Sequence, residues 1–257
     1  MTSTNEYLDL REIDACLFDV FGTVLNWHST VARQVARLSK GLLLEGSQDA
    51  IDFAEEWRAG YYVYVKRVSQ GGQGTSNADI MHREILDDML TTPRWSHIAE
   101  VWGESDREDL TMIWHNLDAY QDTVPGLTEL KCHVNILALS NGNFRLLLDL
   151  AKNQGIPWDG IFSSEMFGSY KPNKKVYQSA AYHLSLPPQK IAMVAAHKYD
   201  LLAAASVGFK TIYVPRPAED LREGRESMRS KEDGGEVDLV VKDFEELARL
   251  IRDARQS

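Results

Sequence analysis

The sequence predicts an α/β fold: a doubly wound parallel sheet with an inserted block of helices. After residue 119, short apolar segments of strand length alternate with segments whose apolar residues recur at helical spacing. This alternation is typical of a parallel sheet covered by helices on both faces. Residues 28–118 show helical patterns and no clear strand, and they follow an isolated apolar run at residues 15–18. We therefore expect an α/β core domain formed by residues 1–27 and 119–257, and a helical cap domain formed by residues 28–118.

Each strand of the core is predicted from a short apolar run bounded by turn residues. The run at residues 15–18 opens the sheet, and the other strands are expected at residues 134–139, 160–163, 190–194, 210–214 and 237–241. Helices of the core are expected at residues 127–133, 144–154, 174–184, 199–207 and 244–254. Gly155 and Gly208 directly follow two of them, and glycine readily adopts the left-handed conformation that ends many helices. Residues 122–126 contain a proline and a glycine and predict a loop.

Two parts of the chain fall outside the alternating pattern. The helical domain is expected to contain a first helix capped by Ser29 or Thr30 and further helices at residues 48–68, 77–90 and 104–115. Near the C-terminus, residues 218–236 carry mixed charges and few apolar side chains. That composition predicts a solvated loop.

Composition and charge exclude several classes of function. The 257-residue chain is 44% hydrophobic, and its formal net charge is -10. An acidic protein lacks the basic surface that nucleic acids and anionic membranes require, so we expect neither partner. The sequence has no apolar run of membrane-spanning length and no signal-peptide pattern, so we expect a cytoplasmic protein. Cys16 and Cys132 lie in or beside apolar segments, and we expect both to be buried and reduced, with no zinc-binding spacing.

Polar residues follow four of the predicted strands. Asp19 follows the first, Ser140 and Asn141 follow the second, Lys171 comes after the third, and Asp200 comes after the fourth. Each has an ordinary structural explanation, such as a helix cap, a turn or a surface lysine. Because the carboxyl ends of parallel strands meet at one crevice, however, we expect these residues to converge on a functional site.

The same residues carry a resemblance to a known family. Asp19-x-Phe-Gly-Thr, Ser140-Asn-Gly, Lys171-Pro and Asp200 resemble the four motifs of the haloacid dehalogenase (HAD) superfamily, in the same order and at similar spacing. A helical cap inserted after the first motif is also that family's arrangement. The resemblance implies a HAD-like, Rossmannoid core in which Asp19 is a covalent nucleophile.

Two positions favour one branch of this superfamily. HAD phosphatases have a second aspartate where this chain has Phe21, and a Gly-Asp pair that helps to hold magnesium where it has Ala195 and Ala196. The L-2-haloacid dehalogenase type has an aromatic residue at the first of these positions and works without metal, so we expect no cofactor. This sequence resembles that type at two further positions. Tyr177 matches the tyrosine that follows the Lys-Pro motif, and Arg58 matches a cap arginine that follows a tryptophan.

The resemblance implies a two-step hydrolysis. Asp19 attacks the carbon that bears the halogen, displaces halide and forms an ester. Lys171 holds Asp19 ionised and in position. A water molecule assisted by Asp200 then attacks the Asp19 carbonyl group and releases a 2-hydroxy acid.

The resemblance also implies a substrate-binding set. Ser140 would bind the substrate carboxylate, and Arg58 and Asn141 would hold the departing halide. The remaining residues that we assign to this set are Phe21, Thr23, Tyr177 and His197. His197 marks a departure, because dehalogenases have Ser-Ser-Asn where this chain has Ala-Ala-His. We expect His197 to replace the lost hydrogen-bond partners or to assist the water.

Other hypotheses stay open at this point. Asp19 and Asp200 could serve a magnesium-dependent HAD phosphatase, or the site could hydrolyse another bond at the same carbon, such as that of a strained ring amine. A third hypothesis is a scaffold that binds a small acid or a protein without turnover. In the main hypothesis the partner is a short 2-haloacid or a similar small carboxylate. Aromatic residues of the cap could also form a homodimer surface.

Overall fold

A parallel sheet lies at the centre of the structure, a computed structural model that describes residues 9–75, 77–219 and 227–256. The strands are β1 (Ala15–Phe18), β2 (Leu25–Asn26), β3 (Asp118–Ala119), β4 (Asn135–Ser140), β5 (Gly160–Ser163), β6 (Ile191–Ala195), β7 (Lys210–Tyr213) and β8 (Leu239–Val240). Within the described residues, the large sheet has six strands in the order β5-β4-β1-β6-β7-β8, which confirms the predicted α/β class. The signal-peptide prediction concerns the first eight residues, which lie outside the described ranges.

Strand β1 lies in the middle of the sheet. Its residues are all apolar, which suits this position, and all are buried there. It pairs in parallel with β4 on one side and with β6 on the other. The strand order therefore reverses at β1, and in such sheets ligands bind beyond the carboxyl ends of the strands at this point. The N–H of Asp19 donates a hydrogen bond to the Val194 carbonyl (3.1 Å), so Asp19 stands at this edge, directly after β1.

Five helices of the core cover the two faces of the sheet: α6 (Thr123–Leu130), α7 (Phe144–Gln154), α8 (Lys174–Leu184), α9 (Lys198–Ala205) and α10 (Phe244–Gln256). The helices α1 (Trp27–Leu38), α2 (Gln48–Ser69), α3 (Ala78–Leu90), α4 (Ser96–Ala99) and α5 (Glu104–Met112) form a separate block. Cys16 and Phe18 of β1 belong to the apolar cluster that includes α6, α7 and α10, whereas Leu17 belongs to the cluster that includes α8 and α9. This alternation follows from the opposite orientation of successive strand side chains. No helix in the described part of the chain is long and apolar enough to cross a membrane.

The block α1–α5 is connected to the core by a short two-stranded ribbon. Strands β2 and β3 pair antiparallel, with Leu25 opposite Ala119 and Asn26 opposite Asp118. Inside the block, Phe53 of α2 packs edge-on against three tryptophans, with ring centroids 5.0–6.1 Å apart. Aromatic packing therefore joins α2 to the other helices of the block, within an apolar cluster that continues into the core. The division at residues 28 and 118 stays a prediction.

The loop predicted at residues 122–126 is wrong, because helix α6 already begins at Thr123. Pro125 occupies the first turn, where backbone N–H groups have no partner within the helix, so its missing N–H is tolerated. Gly126 allows close packing of α6 on α10, because a Cβ atom there would lie 2.6 Å from backbone and side-chain atoms of Phe244. Tertiary packing thus explains two residues that locally indicate a turn.

The solvated loop predicted at residues 218–236 is also wrong in part. Glu219 and Met228 are buried, with 5% and 2% of their surface exposed. Residues 220–226 of this stretch lie outside the described residues. Because a buried carboxylate requires partners, the position of Glu219 indicates a buried polar cluster.

The environments of the two cysteines differ. Cys16 is buried in β1 as expected, and burial raises the pKa of its thiol to about 12. Cys132 is exposed, contrary to expectation, and lies between the end of α6 at Leu130 and the start of β4 at Asn135.

Candidate active site

The Asp19 carboxylate is the centre of the candidate site, and its two oxygens have different partners. Lys171 Nζ donates to Oδ1 at 2.8 Å. Oδ2 accepts from the Thr23 hydroxyl at 2.9 Å and from His197 Nδ1, also at 2.9 Å. Only 5% of the Asp19 surface is exposed. The carboxylate is therefore held by two cationic side chains and one hydroxyl group in a largely dry environment.

The turn after β1 places the Thr23 hydroxyl next to the Asp19 carboxylate. Gly22 adopts a φ of 85°, in the left-handed region that favours glycine. The Thr23 hydroxyl oxygen accepts from the N–H of Ala196 at 2.9 Å. Because that bond occupies the oxygen, the hydroxyl proton is free to point at Asp19 Oδ2.

Lys171 bridges two carboxylates. Its Nζ also donates to Asp200 Oδ2 at 2.5 Å, and the Tyr177 hydroxyl donates to Asp200 Oδ1 at 2.5 Å. Asn141 fixes the backbone of Lys171, because its Oδ1 accepts the Lys171 N–H (2.8 Å) and its Nδ2 donates to the Lys171 carbonyl (3.1 Å). The strand end of β4 thus positions the lysine.

The two carboxylates of this trio differ in pKa. Burial alone would raise the pKa of Asp19, but Lys171 and His197 outweigh it and hold that pKa well below its usual range. Burial raises the pKa of Asp200, and the Asp19 charge adds to this while Lys171 opposes it. Burial opposes the charge on Lys171, but its two carboxylate partners raise its pKa. Asp19 is therefore the stable anion, and Asp200 is the better proton acceptor.

A second buried chain of hydrogen bonds reaches Asp19 through His197. His197 Nε2 lies 2.8 Å from Glu219 Oε2, and the indole N–H of Trp27 donates to Glu219 Oε1 at 2.6 Å. Trp27, His197 and Glu219 are each at most 5% exposed. Burial opposes the charged form of His197, but hydrogen bonds with Asp19 and Glu219 raise its pKa well above the usual value. The imidazole is therefore doubly protonated near neutral pH.

An apolar cavity of about 410 Å³ opens in front of Asp19. It is lined by Asp19, Phe21, Arg58, Tyr61, Tyr62, Val65, Lys66, Gln70, Ser140, Asn141, Lys171, Pro172 and Tyr199. α2 supplies one wall and the carboxyl ends of β1 and β4 supply the other, so the helical block closes the site. Ser140 is buried, and its hydroxyl oxygen accepts from the N–H of Gly142 at 3.2 Å, which leaves its proton available.

Arg58 brings a buried positive charge to this cavity. It is 5% exposed, and its guanidinium carbon lies 4.6–5.5 Å from the centres of four aromatic rings: those of Phe21, Trp27, Tyr61 and Tyr62. Burial alone would lower its pKa, but the tyrosines and Glu219 raise it. Its Nε has no hydrogen-bond partner within the described residues. A buried cation with an unused donor is suited to bind an anion.

Comparison with known proteins decides the family. A family model described as haloacid dehalogenase-like hydrolase matches residues 13–208. The chain belongs to this family. This confirms the resemblance that the four motifs predict, and the individual relatives extend it to the L-2-haloacid dehalogenase type.

Three relatives illustrate that similarity. The (S)-2-haloacid dehalogenase 4A of Burkholderia cepacia is 29% identical over 206 residues, which cover 79% of this chain and 83% of that protein. A crystal structure of an L-2-haloacid dehalogenase superposes with a TM-score of 0.79 at 33% identity, covering 94% of this chain and 99% of the other. A crystal structure of a defluorinating L-2-haloacid dehalogenase superposes with a TM-score of 0.80 at 37% identity, covering 93% and 95%.

Within this HAD-like site, the residues predicted from the sequence fall into two groups. Six line the cavity: Asp19, Phe21, Arg58, Ser140, Asn141 and Lys171. The other four lie behind the carboxylates and contact them or one another: Thr23, Tyr177, His197 and Asp200.

Sequence reasoning missed Glu219, Trp27 and the cavity residues Tyr62 and Tyr199. A signal for Glu219 was present, because it follows the end of β7 at the same sheet edge as Asp19. The charge content of the stretch after β7 predicts a loop, and this composition conceals the strand-end position of Glu219.

The donor set does not fit the magnesium site of HAD phosphatases. Among the described residues, no group of three or more His, Cys, Asp or Glu side chains is arranged to hold a metal ion. The Lys171 ammonium lies between the two aspartates, and His197 binds the remaining Asp19 oxygen. Magnesium requires several oxygen ligands in octahedral order, whereas here each carboxylate oxygen of the two aspartates accepts a hydrogen bond from a side-chain donor.

Proposed function

We propose that this protein is a hydrolase of carbon–halide bonds that converts short 2-haloacids into 2-hydroxy acids through an ester on Asp19, without metal. One observation carries the proposal. The buried, ionised carboxylate of Asp19, which accepts a hydrogen bond from Lys171, lines the same apolar cavity as Arg58. Arg58 is also buried, and its Nε has no hydrogen-bond partner among the described residues. The first is suited to attack carbon, and the second to receive the anion that leaves. The names of the similar enzymes support the same reaction.

In the first step an Asp19 oxygen attacks the carbon next to the substrate carboxylate. A C–O bond forms, and the electron pair of the carbon–halogen bond leaves with the halide. Lys171 keeps Asp19 ionised and fixes its direction. The rings of Phe21 and Tyr61 restrict water, which strengthens the electrostatic interactions in the cavity.

Two anion-binding functions are assigned to the cavity wall. The free hydroxyl proton of Ser140 is available to the substrate carboxylate. Arg58 receives the halide, whose negative charge is largest as the bond breaks. Asn141 keeps one amide N–H for the halide, because its other contacts hold the Lys171 backbone.

In the second step water attacks the carbonyl carbon of the ester. Asp200 accepts a proton from this water, in agreement with its raised pKa. The bond between the Asp19 carbonyl carbon and the substrate oxygen breaks, and the 2-hydroxy acid leaves. Tyr177 holds Asp200 in place through its hydroxyl group, so it acts on the carboxylate and not on the substrate.

Other predictions stay predictions. They are the cap domain at residues 28–118, a homodimer and a cytoplasmic location. The cap assignment is supported by the ribbon of β2 and β3, through which the chain enters and leaves the helical block.

The test is a panel of halide release. Chloroacetate, bromoacetate, fluoroacetate and both enantiomers of 2-chloropropionate are incubated with the protein, with and without chelator, beside a phosphate ester with added magnesium. We expect halide release that the chelator does not reduce. Asp19→Asn should abolish it, whereas Asp14→Asn should not, because Asp14 lies at the opposite end of β1 and pairs with Lys190. Phosphate release that depends on magnesium, without halide release, would refute the proposal.

A further inference from the structure

We propose that His197 and Thr23 form an oxyanion-binding site on Asp19 Oδ2 for the hydrolysis of the ester, and that Glu219 and Trp27 are positioning residues for His197. The inference rests on the proposed function, because it concerns the second step of that reaction. It gives His197 a role other than substrate binding or water activation.

The hydrogen bonds of Asp19 decide which oxygen attacks. An ionised carboxylate oxygen has two lone-pair sites. Among the described residues, Oδ2 accepts from both Thr23 and His197, whereas Oδ1 accepts from Lys171 alone. Oδ1 therefore keeps a lone pair for the substrate carbon, and Oδ2 becomes the carbonyl oxygen of the ester.

The same two donors then face the atom on which charge develops. When water adds to the ester carbon, the π electrons of the carbonyl group move onto Oδ2. His197 Nδ1 and the Thr23 hydroxyl already lie 2.9 Å from that oxygen, within the range expected for oxyanion donors. Collapse of the intermediate breaks the bond to Oδ1. The alkoxide takes the proton held by Asp200, and the new carboxyl group loses its proton as Asp19 ionises again.

His197 is unsuited to act as the base. Both of its ring nitrogens face carboxylate oxygens, those of Asp19 and Glu219, so both carry protons. A doubly protonated ring has no lone pair with which to accept a proton from water.

Glu219 keeps His197 charged after the ester forms. Alkylation removes the negative charge of Asp19, and Glu219 is then the anion that remains in contact with the imidazolium ring. Trp27 fixes the other oxygen of Glu219. The carboxylate also occupies the space next to Gly22, where a Cβ atom would lie 2.4 Å from Glu219 Cδ. The turn after β1 is thus shaped to receive this side chain.

The test separates the two chemical steps by rapid quenching, with halide release and the intact mass of the ester measured together. We expect His197→Leu and Thr23→Val to release about one equivalent of halide quickly and then to accumulate the ester, because loss of one oxyanion donor slows such steps by about 10²–10³-fold. Glu219→Gln should slow ester hydrolysis by about tenfold, because neutral hydrogen bonds are weaker than charge-assisted ones. The first halide equivalent should appear no more slowly than in wild type in each variant, because these donors lower the reactivity of Asp19 toward carbon.

Controls distinguish this role from a structural one. Thr23→Ser keeps the hydroxyl and should hydrolyse the ester normally, and it keeps the inference testable if the His197 variant does not fold. Glu84→Gln is the matched control for Glu219, because Glu84 accepts a hydrogen bond from Tyr64 far from Asp19. Equal slowing of halide release and ester hydrolysis, or no ester in any variant, would overturn the inference. A wild-type protein that neither releases halide nor acquires a substrate adduct would instead overturn the proposed function.

Discussion

Replacement of Arg58 by methionine should greatly slow halide release and leave the free energy of unfolding nearly unchanged. Methionine has a similar length and no charge, so Arg58→Met removes the cation and keeps much of the packing. In wild type the guanidinium group is buried among aromatic rings, and its Nε has no partner in the described part of the chain. The charge is therefore available to the leaving halide.

The magnitude follows from the interaction of two unit charges. At about 4 Å and an effective dielectric constant of about 20, they attract by about 4 kcal/mol. Loss of that stabilisation in the transition state corresponds to a decrease of about 10³-fold in the rate of halide release. The free energy of unfolding should stay within about 1 kcal/mol of wild type, because the lost cation–π contacts are offset by removal of a buried charge.

The assay is halide release in a single turnover, beside chemical denaturation of the same variant. Arg67→Met is the matched control, because Arg67 also lies on α2 and contacts a ring, that of Tyr64 at 4.4 Å, but does not line the cavity. The reasoning is refuted if Arg58→Met releases halide at the wild-type rate, if both variants lose activity equally, or if Arg58→Met is destabilised by several kcal/mol.

Three further predictions concern stability. Gly126→Ala should lower the free energy of unfolding by about 1–3 kcal/mol, since its Cβ would overlap Phe244, and denaturation should show a lower midpoint with an unchanged slope. Tyr177→Phe should lower the free energy of unfolding by about 1.5–3 kcal/mol, because the Asp200 carboxylate loses a buried hydrogen-bond donor. An unchanged denaturation midpoint would contradict this. Burial opposes protonation of His115, but hydrogen bonds with Asp79 and Asp149 outweigh it and raise its pKa. The stabilisation that protonated His115 gives to the folded protein is thus complete below the pKa of about 6.5 that histidine has in the unfolded chain. It is lost as the pH rises through the higher pKa of His115 in the folded protein. His115→Gln should therefore destabilise the protein more at about pH 5.5 than at about pH 9, by about 1 kcal/mol, and equal effects at both would contradict this.

Local sequence patterns predicted helices and strands correctly where tertiary packing favours the same structure as the local residues. The apolar run of β1 and the helix α7, which ends at Gly155 in a left-handed conformation, have the predicted bounds. The beginning of α6 was missed because its proline and glycine indicate a turn locally. Close approach to Phe244 is a contact across more than one hundred residues, and single-sequence patterns do not report it.

The candidate site was predictable where the strand-end rule was applied. Asp19, Asn141, Lys171 and Asp200 form one connected group at the edge where β1, β4 and β6 end. Glu219 was not predicted because the mixed charges of residues 218–236 favour a solvated loop. The role of Trp27 depends on one buried hydrogen bond to Glu219, from a residue 192 positions earlier in the chain, and no spacing rule predicts such a pair.

The geometry of Asp19 connects both steps of the reaction. A carboxylate bound by two cations is a weak base, because Lys171 and His197 hold its pKa low, and this lowers its intrinsic reactivity toward carbon. The same cations make the ester carbonyl more electrophilic once the negative charge of Asp19 is gone. Lys171 on Oδ1 and His197 on Oδ2 therefore slow the first step somewhat and favour the second. A compensating factor in the first step is required, and the proposed binding of the leaving halide by the buried charge of Arg58 would supply it.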